Sequence, residues 1–212
     1  MITNSDKSAG ISLLLGSFFM IITMVLHPVG GDFNQLQKIV VIGMVSHAIA
    51  ILAIPFMALG YFGISMRLKE EAFFSRIAFS VMLFGLFAVM IAGAANGIVL
   101  MDLVRDNKDA SELAIESLKP IIRYNFHLNH AFDYIFIGAV FLSTLLWSVS
   151  MIQTGKFPKW IAYFGIGMVT LAFSMLVFGF VFLDVAGFRV FIFGTAAWTI
   201  ASGLYLINGS SE

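Results

Sequence analysis

Cysteine is absent from the 212-residue chain, which excludes structural disulfides and thiolate metal sites. Charge is scarce as well: charged residues make up 11% of the chain and apolar residues 60%. Soluble domains carry roughly 25% charged residues and about 45–50% apolar ones. Basic and acidic side chains balance at twelve each, so no excess of positive charge points to nucleic acid. Four prolines leave long stretches free of helix breakers. No glycine-rich phosphate loop and no serine nucleophile motif is present.

Long uncharged runs are what the chain has instead. Residues 8–31, 39–66, 77–101, 134–155, 160–183 and 190–211 contain no Asp, Glu, Lys or Arg. Each can supply the roughly 20 helical residues that cross a bilayer core. Lipid offers no partner to a free backbone group, so runs of this length span as helices. The fold class is therefore an all-α membrane protein, a six-transmembrane-helix bundle forming one polytopic domain over 1–212. The spans are expected at about 9–27, 40–66, 77–101, 130–153, 160–182 and 189–206. The first run continues to Leu26 without a small-x-small cleavage site, and reads as a span rather than a signal peptide.

Orientation follows from the basic residues. Lys7, Arg67, Lys69, Arg76, Lys156 and Lys159 fall on the side of the termini, in two short turns and a short tail. Lys38, Arg105, Lys108, Lys119, Arg123 and Arg189 fall on the other side, mostly in one long loop. The counts tie, and the short loops decide, so both termini are expected in the cytoplasm. Trp160 and Tyr163 stand where an inner aromatic belt would lie. Within the long loop, Asp109 and Glu112 have the form of a capping box. Leu113, Leu118, Ile121 and Ile122 follow at helical spacing, which predicts a short amphipathic helix on the outer surface between spans 3 and 4, ended or kinked by Pro120.

Glycines set the expected packing. Gly93 and Gly97 make a G-x-x-x-G pair in the third span, a spacing that lets a neighbouring helix approach within the bundle. Trp198 reads as a packing aromatic whose indole N–H finds a partner. Thr170, Ser174, Thr195 and Thr199 can bond their own helix backbone.

The chemistry is a matter of depth. Counting about 20 residues back from each cytoplasmic span end reaches His47, Asn96 and Tyr134. Asp133 adjoins Tyr134, His130 lies one turn away, and the first span ends at His27. The candidate ligand-binding residues are thus His27, His47, Asn96, His130, Asp133 and Tyr134, all near the outer boundary. His127, His130 and Tyr134 share one helical stripe. Ionisable groups that turn inward in a membrane bundle mark functional sites, which favours an outward-facing pocket for a small molecule or lipid. An alternative is a metal or haem site on His47 and His130, serving a membrane enzyme, since imidazole suits zinc, copper and iron. A further alternative is a structural membrane protein without a ligand site, its polar residues solvated at the interface. No motif calls for a cofactor, metal or haem being the alternative. Expected partners are membrane lipids and a small-molecule ligand, without nucleic acid. Catalytic residues and oligomeric state have no signature.

The segments LHPVGGDF (Leu26–Phe33), SHA (Ser46–Ala48) and NHAFDY (Asn129–Tyr134) resemble small bacterial six-span membrane proteins grouped as a domain of unknown function. The resemblance would cover most of the chain. It implies a bacterial inner-membrane location and no particular activity.

Overall fold

A computed structural model describes residues 3–68 and 73–209. Among them are six helices long and apolar enough to cross a membrane, and no strand. They are α1 (Asn4–Leu26), α2 (Phe33–Arg67), α3 (Phe73–Asp106), α4 (Glu112–Thr154), α5 (Lys159–Val177) and α6 (Val185–Asn208). Lys69, one of the residues used to orient the chain, lies outside the described residues.

Local chemistry explains the ends. Thr3 and Asp6 form a reciprocal capping box at the start of α1. Pro28 disfavours helical backbone at the residue before it, and His27 is accordingly extended, with ψ of 115°. Asp32 and Asp184 cap α2 and α6 by accepting from the amides of Gln35 and Gly187. Gly155, at φ of 63°, ends α4 in the left-handed region that favours glycine.

Helices consecutive in sequence pack side by side, and α6 closes back onto α1. Close approach is bought by small residues: Gly10 of α1 meets the backbone of Gly203 of α6. The main core runs through the bundle and includes Leu13, Met57, Tyr61, Trp147, Ile161 and Trp198. Phe84, Phe87, Phe173 and Val177 are exposed on its outside, where lipid contact would stabilise them.

The helices differ in length, and the difference makes a second layer. α2, α3 and α4 have 35, 34 and 43 residues, whereas α1, α5 and α6 have 23, 19 and 24. At about 1.5 Å per residue only the short three match a bilayer core of roughly 30 Å. The surplus of the long three lies at one end, opposite the termini. There Phe33, Leu36, Val40, Leu100, Met101, Val104 and Ile122 form a separate apolar cluster, a three-helix headpiece.

This headpiece corrects the expected surface helix. The segment after residue 111 is the first part of α4, continuous through Pro120, and its cap is Ser111 rather than Asp109. Ile115, Leu118, Ile122 and Phe126 pack into the headpiece, so the apolar face has a protein partner instead of a lipid surface. Leu113 and Ile121 point outward. That packing carries the helix past the proline, whose missing N–H costs one backbone bond.

Candidate functional site

The floor of the headpiece is where α1 stops and α3 changes its winding. Residues Ala95–Val99 of α3 form a π-helical turn, a feature common at functional sites. Gly97, within that turn, faces His47 of α2 so closely that a Cβ there would overlap the imidazole. Glycine and π-turn together make the space that His47 occupies. Gly93, one turn away, faces Ile51. The G-x-x-x-G pair therefore packs against α2 of the same chain.

His27 meets His47 at this level. Their ring centroids are 4.9 Å apart, tilted by 54°. His47 Nδ1 lies 2.8 Å from the Gly43 carbonyl, and His27 Nδ1 lies 3.0 Å from the Pro28 carbonyl. A carbonyl oxygen only accepts, so each Nδ1 carries the proton and donates. Each neutral ring then keeps its lone pair on Nε2, and no hydrogen bond of the described residues engages either Nε2. His27 is pushed down to about 4 from the ordinary histidine value, by burial first, then by the His47 and Arg189 charges, against the hydrogen bond to Pro28. Below the pair, Thr23 Oγ1 donates to the Ser46 carbonyl at 3.4 Å, and Ser46 Oγ to the Gly43 carbonyl at 3.0 Å.

Arg189, at the start of α6, closes the site from the third side. Its Nε donates to the Met24 carbonyl at 3.1 Å and its Nη2 to the His27 carbonyl at 3.0 Å. Both carbonyls belong to the C-terminal end of α1, where a cation complements the helix dipole. Among the described residues no carboxylate lies within ion-pair distance of this guanidinium.

The remaining candidates divide between inside and outside. Asn96 Oδ1 accepts from Asn125 Nδ2 at 3.1 Å, joining α3 to α4. Asp133 is buried and accepts from Asn129 at 2.6 Å. Asn125, Asn129 and Asp133 recur every four residues, so they form one polar stripe on α4. His127, His130 and Tyr134 are exposed on that helix. The ring that His47 faces is thus His27, while His130 is exposed on α4. Among the described residues no three His, Asp or Glu side chains gather where a metal ion could be held.

Sequence reasoning missed Arg189 as a member of the layer, and missed Asn125 and Asn129. The four-residue spacing of the two asparagines before Asp133 was a readable signal. Nothing in the sequence paired Arg189 with the end of α1. The chain matches no protein-family model, no curated protein and no solved structure.

Proposed function

We propose that this multi-pass protein resides in a bacterial inner membrane, with both termini cytoplasmic, and binds a small molecule or lipid in a polar layer facing outward. The orientation rests on the basic residues of the short connections at the terminal end, Arg67, Arg76, Lys156 and Lys159. The bacterial location rests on the resemblance of the three motifs to small six-span proteins of unknown function. The observation that carries the binding reading is the His27–His47 pair: two neutral rings in contact, both Nδ1 protons committed to carbonyls, both Nε2 lone pairs uncommitted. Neither Nε2 is among the enclosed polar atoms that lack a partner, so both are open to a ligand from outside the core.

The same commitment of Nδ1 to a carbonyl is typical of metal-ligating histidines, which gives a metal-dependent enzyme its claim as second reading. Charge weighs against it. A divalent ion on these rings would be repelled by the nearby guanidinium of Arg189. Arg189 is bonded to His27 itself, so the repulsion falls on this site.

Mass spectrometry of detergent-purified protein, with extraction of small molecules and elemental analysis, tests both. A ligand that co-purifies with the native chain and is lost in His27→Ala combined with His47→Ala is the expected result. A stoichiometric metal lost in the same variant would replace it with the second reading. Identical extracts from both proteins would overturn binding at this pair.

A further inference from the structure

Resting on the binding reading above, we propose that the ligand presents an oxyanion of constant negative charge, a sulfate, sulfonate or phosphodiester, that docks on Arg189 and is bound together with a proton taken up by the His27–His47 pair.

Charge accounting leads there. Arg189 is half-buried and held by two carbonyl oxygens, which orient the guanidinium without neutralising it. A partly desolvated cation without a counter-ion gains from an arriving anion. Arginine also offers planar N–H donors suited to oxyanions, and Nη1 has no hydrogen-bond partner among the described residues. The two imidazoles supply the other half. Empty, they are neutral, since two charged rings in contact beside a guanidinium would repel. An oxyanion reverses the sign of the local field, so one Nε2 gains a proton and becomes a second donor to the ligand.

Titratable groups lie on every helix packed against the pair, and His27→Gln separates the pair's titration from theirs. On α2 the facing group is His47 itself, and Asp32 is the exposed cap of that helix. On α6 they are Arg189 and Asp184, the latter exposed and occupied with the Gly187 amide. On α3 the neighbours are Gly97 and the uncharged Asn96, and Asp102 is paired with Arg105. On α4 Asp133 is held by Asn129, and Arg123 and His127 are exposed. No carboxylate thus competes with an incoming anion at the guanidinium.

The test uses the full chain and two probes whose charge is constant between about pH 5 and 8. Sulfate stands for a free oxyanion, and phosphatidylglycerol in phosphatidylcholine nanodiscs stands for a lipid headgroup. Calorimetry in two buffers of different ionisation enthalpy counts protons. Uptake of one proton per ligand should tighten binding by about tenfold per pH unit on acidification, within the range bounded by the free and bound histidine values. In nanodiscs the same coupling should appear as a rise in Tm on adding phosphatidylglycerol that grows as pH falls. Arg189→Gln should abolish either signal, Arg189→Lys should retain part of it, and His27→Gln should leave weaker binding with a flatter pH profile. A response to sulfate assigns a free anion, and a response to phosphatidylglycerol alone assigns the headgroup. Absence of both responses, or binding that is indifferent to Arg189→Gln or to pH in folded protein, would overturn the proposal. A neutral ligand that co-purifies and depends on the histidines would overturn it too, while leaving the binding reading intact.

Discussion

Two polar clusters sit at two depths of the same bundle, and they are finished differently. Toward the terminal end, Tyr61, Trp147 and Trp198 stack across the interior, with centroids 5.1 and 6.2 Å apart and planes within 20° of parallel. The polar tip of each of these three rings has a partner. Trp147 Nε1 donates to Ser65 Oγ at 2.8 Å, Trp198 Nε1 to the Ile161 carbonyl at 3.1 Å, and Tyr61 bonds Thr199 at 3.1 Å. These bonds tie α2, α4, α5 and α6 together. At the histidine end the rings are again in contact, but among the described residues two Nε2 lone pairs and the Nη1 of Arg189 have no internal partner. Rings whose polar tips are paired across helices contribute stability, and a group that leaves donors and acceptors open is suited to a ligand.

Substitution should separate the two. Trp147 is fully buried, and Trp147→Ala removes the middle of the stack and the bond its indole donates to Ser65. It should cost about 3–5 kcal/mol, read as a large drop in Tm in detergent. An unchanged Tm would mean that the stack holds nothing together. Gly97→Ala tests the floor of the other cluster. The added methyl overlaps the His47 ring, so either the π-turn or the imidazole must move, at about 1–3 kcal/mol. Ligand retention should fall with it; retention at the native level would show that His47 does not need its present seat.

The smallest effect is a pH slope. His27 titrates near 4 in the folded protein, below its ordinary value near 6.5. Between those values this residue binds more protons in the unfolded chain than in the folded one, so its own contribution to stability rises as pH increases from about 4 to 6.5 and is flat above. The Tm difference between the native protein and His27→Gln should therefore grow in favour of the native protein across that window. A slope identical to the native one would place the titration elsewhere. Bound oxyanion should oppose the loss at low pH, because it favours the protonated ring.

Much of this was legible before any coordinates. The uncharged runs located all six spans, since lipid tolerates neither free backbone groups nor unpaired charge over that length. Depth was legible too: counting from the terminal end put His47 and Asn96 at one level, and the π-turn beside Asn96 is where the structure gathers its polar groups. Rotation was not. The stripe of His127, His130 and Tyr134 is real, yet it faces outward, while neighbouring Asp133 is buried. Periodicity shows which residues share a face of a helix and is silent on what that face meets.

The amphipathic pattern after residue 111 shows the same division. Its apolar side was evident, but a lipid surface and the ends of two other helices satisfy it equally well by composition. Burial against Leu36, Leu100 and Val104 made it part of α4. The six apolar helices and the depth of the polar layer were determined by the sequence alone, because they depend on solvent polarity and helix length along one chain. The meeting of His27, His47 and Arg189, drawn from α1, α2 and α6, was decided by tertiary structure, because it depends on helix rotation and on which small residues let helices touch.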